Sequence, residues 1–331
     1  MFKMKTTTQL LFIGMMIGLA SCQQDLDFMV VNPGQLNGPD TVWVAGVSAQ
    51  SPSNQLREDI RKSLRRDSFA LNANSTTIIN LSSGIQLRIP AQSIQTLNGN
   101  SYQGLVKSES ILLRNNGDLI RMGISSRFNE QLLINEGTMF LGLTDAQNQP
   151  LDIDPEKPIQ LRFDPFGQYN PGIKLFLGTA TLQDPGFNWI PIADSMNYFI
   201  PGSDYRVVTN QMGWISCSRI GSVAPSQRTR LEVDLPAHYT NNNTVAFVSL
   251  NRYRVMIRLN ANPESRTFQS GVLPVNEPIT LVVLSKQGNR YFMIQRNITL
   301  DYPNQNSLFD RMVVEPTITE LSSIQQYLDQ L

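Results

Sequence analysis

The sequence predicts a mostly β protein, in which two antiparallel β-sandwich domains lie between a short N-terminal helix and a C-terminal helix. Apolar residues alternate with a period of two from about residue 68, which is the pattern of strands with one buried face. Turn signals separate these runs at short intervals, and this favours sandwiches over parallel βαβ units. Apolar residues at helical spacing mark the two predicted helices, near residue 60 and after residue 316.

Residues 1–21 are expected to form a signal peptide. Lys3 and Lys5 give a basic start, and an apolar run extends from residue 10 to residue 20. A membrane-spanning helix needs roughly 20 apolar residues, and this run is shorter. We therefore interpret the segment as an export signal that does not belong to the fold.

The run ends in Leu19-Ala-Ser-Cys22, which resembles a lipobox. We expect cleavage between Ser21 and Cys22 and attachment of palmitate-like acyl chains to the Cys22 sulfur, where several chains together anchor a protein firmly. The alternative is a plain secretory signal that is cut nearby. Gln23 follows the cysteine, as in lipoproteins released to the outer membrane, so the expected location is the periplasmic or the cell-surface face of that membrane.

The charge balance excludes a nucleic-acid partner. The chain has 27 basic and 27 acidic residues, and loss of the two lysines in the signal leaves 25 − 27 = −2. No basic field exists to bind nucleic acid. The second cysteine, Cys217, has no partner in the chain if Cys22 is acylated, and its place in an alternating run predicts a buried, inert thiol.

Residues 22–50 are predicted to be a tether with one docking strand at Val42-Trp-Val44. An amphipathic helix is predicted over 51–67, because Ser51-Pro52 is a capping start and Leu56, Ile60 and Leu64 share one face. Its arginines and lysine alternate with acidic residues, so a solvated face is favoured over a basic binding patch.

The first sandwich is predicted over 68–165, a β-rich connecting segment with the Gly213-Trp-Ile-Ser-Cys217 strand over 166–222, the second sandwich over 223–315, and the last helix over 316–331. Turns are expected between strands at Asn98-Gly99, Asn116-Gly117, Glu136-Gly137, Gln147–Pro150, Asn260–Pro263 and Lys286–Asn289.

Several short motifs resemble a family of exported lipoproteins of Bacteroides-like bacteria: Gly84-Ile-Gln-Leu-Arg-Ile-Pro-Ala91, Gly104-Leu-Val, Asn135-Glu-Gly-Thr-Met-Phe140 and Gly213-Trp-Ile-Ser-Cys-Ser218. Ser216 and Ser218 depart from the family pattern. The resemblance implies an anchored, multi-domain envelope protein whose sandwich is similar to that of ankyrins and netrin receptors. Some eukaryotic relatives cut their own chain at a His-Phe-Ser site, which this sequence lacks.

No catalytic residue and no cofactor are predicted, and the expectation is that the protein is not an enzyme. His238 is the one histidine, in a turn-like setting, and histidine-dependent triads and two-histidine zinc sites need more. No nucleophile elbow, phosphate loop or dinucleotide fingerprint occurs.

The sequence contains two weaker candidate binding sites. Asp152, Asp154 and Glu156 alternate and could supply oxygen ligands to calcium, although a turn closed by two prolines is favoured.

The aromatic residues Phe187, Trp189 and Tyr198 could stack on sugar rings from loops, although aromatic residues in such places more often cover the end of a core.

The preferred hypothesis is a non-enzymatic envelope lipoprotein that serves as a structural or interaction module for an envelope protein or the cell wall. The alternative is a carbohydrate-binding accessory lipoprotein at the cell surface. An acid-pair hydrolase ranks third. It stays open because glycoside hydrolysis needs only two carboxylates.

Overall fold

The computed structural model describes residues 41–164, 172–179, 188–193, 197–200, 204–250, 252–301 and 309–331. The chain divides into two units, Met1–Pro39 and Asp40–Leu331, and every described residue belongs to the second. The predicted signal peptide and most of the predicted tether therefore lie outside the described residues. The described part is mostly β with several antiparallel sheets, which confirms the predicted fold class.

The first sandwich consists of two antiparallel sheets. Its strands are β1 (Asp67–Asn72), β2 (Thr77–Asn80), β3 (Ile85–Ile89), β4 (Ile94–Thr96), β5 (Leu105–Leu113), β6 (Arg127–Phe128), β7 (Gln131–Thr144), β8 (Leu151–Ile153), β9 (Ile159–Phe163), β10 (Lys174–Gly178), β11 (Trp189–Pro191), β12 (Tyr198–Ile200), β13 (Tyr205–Thr209) and β14 (Gly213–Gly221). Inner sheet 1 has the order β1-β5-β7-β14-β10-β11, with β6 paired to β7. Outer sheet 1 has the order β12-β13-β9-β3-β2, and β4 pairs with β8.

Apolar side chains at alternating positions of the strands fill the space between these sheets. Leu87, Leu161 and Val207 of outer sheet 1 are buried in the same core as Leu141 and Ile215 of inner sheet 1. The strands β10 to β14 come from the segment that the sequence analysis treats as a connection, and they pair within both sheets. Strands of the 166–222 segment thus complete the first sandwich.

The second sandwich is built from the remaining strands: β15 (Arg228–Thr229), β16 (Leu231–Asp234), β17 (Thr244–Leu250), β18 (Val255–Arg258), β19 (Asn260–Asn262), β20 (Thr267–Gln269), β21 (Leu273–Pro274), β22 (Pro278–Gln287), β23 (Arg290–Thr299), β24 (Asp310–Val313) and β25 (Thr317–Thr319). Inner sheet 2 has the order β18-β17-β22-β23-β25, and outer sheet 2 the order β19-β20-β16-β24. All these neighbours are antiparallel except β16 and β24, which are parallel. A further antiparallel pair joins β15 to β21.

A layer of three helices separates the two inner sheets, and we call it the central layer. It contains α1 (Pro52–Arg61), α2 (Asn116–Met122) and α3 (Leu321–Gln330). Leu56 of α1, Ile120 of α2 and Leu328 of α3 share one core with Trp214 of inner sheet 1 and Phe247 of inner sheet 2. Each inner sheet therefore buries both faces, and this third core joins the sandwiches.

The start of α1 follows the prediction, and its end does not. The Ser51 hydroxyl accepts a hydrogen bond from the Asn54 amide at 3.2 Å, and proline occupies the first turn. The helix ends at Arg61, six residues before the predicted end at residue 67 and in advance of β1, although Leu64 is still buried.

Three predicted turns are wrong. Asn116-Gly117 begins α2, because the Asn115 side chain caps a helix by accepting from the Asp118 amide at 2.8 Å. Glu136-Gly137 lies inside the single long strand β7, where the pairing with β14 shifts by one residue as a β-bulge. Asn260–Asn262 forms β19, so its hairpin turn falls after residue 262.

The end of the predicted tether docks on the second sandwich without forming a strand. The Val44 amide donates to the Asn241 side chain at 3.0 Å, and the Asn241 amide returns a bond to the Val44 carbonyl at 2.6 Å. The Trp43 ring lies 5.1 Å from the Phe268 ring. Among the described residues, no helix has the length and apolar character needed to cross a membrane.

Candidate binding site

A polar cavity of about 530 Å³ lies where both sandwiches meet the edge of the central layer. The first sandwich contributes the connection between α2 and β7, and the second contributes the end of β18 and the residues after β20. Its charged lining residues are Arg127, Arg230, Arg258 and Glu130, which gives 3 − 1 = +2. Amide and hydroxyl side chains, among them Asn188 and Gln269, form much of the rest.

The wall from the first sandwich is fixed by backbone geometry. Gly123 ends α2 in the left-handed conformation, with φ of 68°, which favours glycine. The following loop is joined to β18, since the Ser126 amide donates to the Met256 carbonyl at 2.6 Å. The Met256 amide in turn donates to the Ser126 hydroxyl at 3.2 Å. This loop leads into β6 and so places Arg127 at the cavity.

Arg127 crosses from the first sandwich to the second and lies against the backbone of Gly271. A Cβ at Gly271 would lie 1.2 Å from Nη1 of Arg127, so only glycine leaves room for the guanidinium as it stands. Glu130 accepts from Arg127 at 3.2 Å and lies 4.0 Å from Arg230. Burial lowers the pKa of Arg127, and Glu130 opposes this effect. The one carboxylate in the lining is therefore engaged with two of the three arginines.

Arg258 is the third arginine, and its surroundings differ. It follows Met256 by two residues in β18 and pairs with Phe247, and both of these neighbours belong to the core of the central layer. Its guanidinium therefore projects into the edge of that layer. Among the described residues, no ion pair or hydrogen bond of this guanidinium is found. Burial lowers the pKa of Arg258, and no carboxylate opposes this effect.

A fourth arginine lies behind the cavity. Arg57 of α1 packs against Gly123, where an added Cβ would lie 2.8 Å from its Nη2. Burial lowers the pKa of Arg57 to about 10, and the nearby charges of Arg258 and Arg61 add to the decrease. Arg57 and Arg258 also line a neighbouring cavity of about 240 Å³. The predicted solvated helix face is thus wrong for Arg57 and Arg61, which are both buried.

The solvent face of outer sheet 1 is a second candidate. The strand register places Tyr198, Val208, Gln160, Arg88 and Ile78 in one row across five strands. The adjacent row contains Ile200, Arg206, Arg162, Gln86 and Asn80. Much of this surface lines a shallow cavity of about 360 Å³.

One carboxylate neutralises part of that face. Asp204 pairs with Arg162 and, at 3.1 Å, with Arg206. Tyr198 is 46% exposed at one end of its row. The face therefore combines an accessible aromatic ring with amide and guanidinium donors, which are the groups that hold sugars and other polar ligands.

The predicted aromatic group does not form one site. Trp189 is 1% exposed and packs in the core of the central layer, with its indole N–H donating to the Ser125 carbonyl at 2.9 Å. This corrects the stacking interpretation for Trp189, which supports the cavity wall from behind. Tyr198 lies on a different sheet. Phe187 lies outside the described residues, as do Ser21 and Cys22.

The predicted calcium ligands serve a turn. The Asp154 side chain accepts from the Glu156 amide at 3.0 Å, and its other oxygen lies 3.7 Å from Lys157. Asp152 accepts from the Ile153 amide at 2.8 Å, and Glu156 is exposed. No group of three acidic, histidine or cysteine residues among those described could hold a metal ion. The calcium interpretation is therefore corrected in favour of the turn.

The two side chains most often used as nucleophile or base do not reach the cavity. Cys217 is completely buried in the core of the first sandwich, as predicted. Burial raises the pKa of the Cys217 thiol far above its usual value, and Glu136 adds to the increase. His238 stacks beside Tyr239, with 4.2 Å between ring centroids, and it is not among the residues that line the cavity.

Sequence reasoning missed the arginines of the cavity. The available signal was Arg258, because it ends a strand in which Val255, Met256 and Ile257 are all buried. A strand that is apolar on both faces lies between two layers, and a charged residue there requires an explanation.

No protein-family model matches this sequence, and no curated protein matches it significantly.

Proposed function

We propose that the protein is a non-enzymatic cell-envelope lipoprotein that acts as an interaction module. The arginine-lined cavity is the observation that carries this proposal, because its walls present guanidinium, amide and hydroxyl groups that bind a ligand. The Ser270 hydroxyl already accepts from the Leu231 amide at 2.8 Å and donates to the Gly271 carbonyl at 2.7 Å. It is thus held by the backbone and poorly placed to act as a nucleophile.

The anchor in this proposal is the acylated Cys22, which holds the protein at the outer membrane. The basic start, the apolar run and the lipobox-like end of residues 1–22 support it, as does the resemblance to exported lipoproteins of Bacteroides-like bacteria. Cells that express the chain are labelled with a radioactive fatty acid. We expect label on the wild-type protein and none on Cys22→Ser, with Cys217→Ser as the matched control that keeps its label. Absence of label from the wild type would refute the anchor.

The interaction is tested in cells by crosslinking, with the anchored wild-type chain and an Arg230→Gln variant compared. An envelope partner or glycan that crosslinks to the wild type and is reduced in the variant supports binding through the cavity. Turnover of a polysaccharide by the purified chain would instead favour the hydrolase hypothesis over a binding role.

A carbohydrate-binding role is the second candidate, and the exposed Tyr198 on outer sheet 1 favours it. An aromatic ring in line with the amide of Gln160 and the guanidinium of Arg88 offers stacking and hydrogen bonding to successive sugar units.

A glycan array with the full-length chain tests this second role. We expect that Tyr198→Ala weakens any glycan binding at least tenfold, because the stacking surface is lost. Val313→Ala is the control, since Val313 is 76% exposed on the other sandwich. Equal loss in both variants, or no loss in Tyr198→Ala, would remove outer sheet 1 as the glycan surface.

A further inference from the structure

Arg258 is a half-buried cation at the edge of the central layer. It extends from the edge strand of inner sheet 2 beside Met256 and Phe247, and it separates two cavities. Moving a guanidinium out of water is unfavourable unless an anion or several acceptors surround it. Among the described residues, no ion pair and no hydrogen bond compensates the charge of Arg258.

No carboxylate in the part of the chain that the structure describes relieves this cost. Glu130 is engaged with Arg127 and Arg230, and Arg57 places a second positive charge near Arg258. A cavity with a net positive lining and a low-polarity back wall concentrates potential that attracts an anion. A negatively charged group that enters from the cavity of about 530 Å³ would supply the counter-charge that Arg258 lacks.

We propose that Arg258 binds an oxyanion, a carboxylate, phosphate or sulfate group, carried by a polar ligand in this cavity. The planar guanidinium can donate two parallel hydrogen bonds to such a group. The proposal deepens the proposed function and rests on it, since it names the ligand class of the same site.

The rest of the lining indicates what bears the oxyanion. Asn188, Asn260 and Gln269 present amide donors and acceptors around Arg258, and such groups bind hydroxyls. The volume is within the range of small-molecule sites. An acidic sugar therefore fits the lining, and an inorganic oxyanion fits the Arg258 position alone.

Isothermal titration of the full-length chain in detergent distinguishes these sources. The probes are glucuronate, inorganic phosphate, sulfate and, as the neutral control, glucose. We expect saturable binding of glucuronate and no binding of glucose. Binding of phosphate or sulfate without glucuronate supports the oxyanion site and assigns it to a free inorganic ion.

Arg258→Gln is expected to weaken oxyanion binding at least tenfold, whereas Arg296→Gln leaves it unchanged. Arg296 is exposed on β23 and has no part in the cavity. If Arg258→Gln does not fold, Arg258→Lys decides, because lysine keeps the charge and loses the paired donors. Weaker binding in Arg258→Lys than in Arg296→Lys supports the proposal.

Thermal unfolding separates a binding role from a structural one. Without ligand, Arg258→Gln is expected to unfold at the same temperature as the wild type or higher, because it removes an uncompensated charge. Ligand should raise the unfolding temperature of the wild type alone. No binding of the three anions, or binding that Arg258→Gln leaves unchanged, overturns the proposal. These titrations do not depend on acylation of Cys22. Failure of the lipid anchor and failure of the oxyanion site can therefore be distinguished.

Discussion

Gly117 lies where two helices of the central layer approach closely. An added Cβ on Gly117 of α2 would lie 1.7 Å from the carbonyl oxygen of Leu328 in α3. Non-bonded atoms need roughly 3.5 Å, so Gly117→Ala requires this distance to increase by about 1.8 Å. The obstacle is backbone, and no side-chain rotation can relieve it. We predict that Gly117→Ala displaces α3 from the layer.

The size of the effect follows from what α3 buries. Ile324 and Leu328 are both 0% exposed in the core of the central layer. Burial of each side chain contributes about 1.5–3 kcal/mol, so loss of both costs about 3–6 kcal/mol. Alanine in place of glycine within a helix stabilises the helix by about 1 kcal/mol. The expected net loss in the free energy of unfolding is therefore about 2–5 kcal/mol.

Urea unfolding of the full-length chain, followed by tryptophan fluorescence, measures this loss, since Trp189 and Trp214 lie in the same core. Gly46→Ala is the matched control, because nothing lies within 4 Å of its added Cβ. Its effect should stay within about 0.5 kcal/mol. Leu328→Ala should cost much less in the Gly117→Ala background than in the wild type, since α3 is already displaced. A Gly117→Ala protein as stable as the wild type would refute the close approach of the helices.

Two further predictions concern buried ionisable groups. Burial alone would raise the pKa of Asp59, but hydrogen bonds from Lys286, Lys62 and Tyr291 outweigh it and lower the pKa to about 2. The charged form of Asp59 therefore contributes about 2 kcal/mol of stability above the unfolded-state pKa, and this stability is lost as the pH falls through the folded-state pKa. In urea unfolding, the stability difference between the wild type and Asp59→Asn should be present at pH 7 and shrink towards pH 2. A difference that stays constant with pH would contradict this prediction. Burial raises the pKa of the Cys217 thiol. Iodoacetamide at pH 8 should therefore modify Cys217 at least about 100-fold more slowly in the folded chain than in urea. Equal rates of modification would contradict the burial of Cys217.

Much of the fold could be predicted because alternation reports directly which residues face a core. Ile85-Gln-Leu-Arg-Ile89 reads as a strand, and its buried positions are the three predicted apolar ones. The hairpin at Lys286–Asn289 is also confirmed, with Gln287 paired to Arg290 around Gly288. Such features depend on neighbours in the sequence, and a single sequence contains that information.

Pairing between distant strands could not be predicted in the same way. Strand β14 lies between β7 and β10 in inner sheet 1, although it is far from β7 in the sequence. Nothing in Gly213–Gly221 identifies these neighbours, so the sequence alone predicts only a connecting segment there. Helix α2 was missed because Asn-Gly is also a turn signal, and only the cap between Asn115 and Asp118 distinguishes the two.

The candidate site could not be predicted from the sequence for a related reason. Its walls come from α2, β6, β18 and β20, which the fold brings together only through the central layer. The sequence indicated that Tyr198 could be accessible, but it could not separate this ring from the buried Trp189, because both stand in short apolar runs.

The central layer also determines what a ligand at Arg258 would do to the protein. The core of this layer includes residues of both inner sheets, so it is complete only when both sandwiches pack against the helices. Arg258 occupies its edge beside Arg57, where two positive charges oppose packing. An anion bound there would offset that repulsion and favour the closed layer, since any ligand specific to the folded state stabilises it. Binding in the cavity and docking of the two sandwiches should therefore be coupled, and a variant that loosens the layer, such as Gly117→Ala, should bind the same anion more weakly.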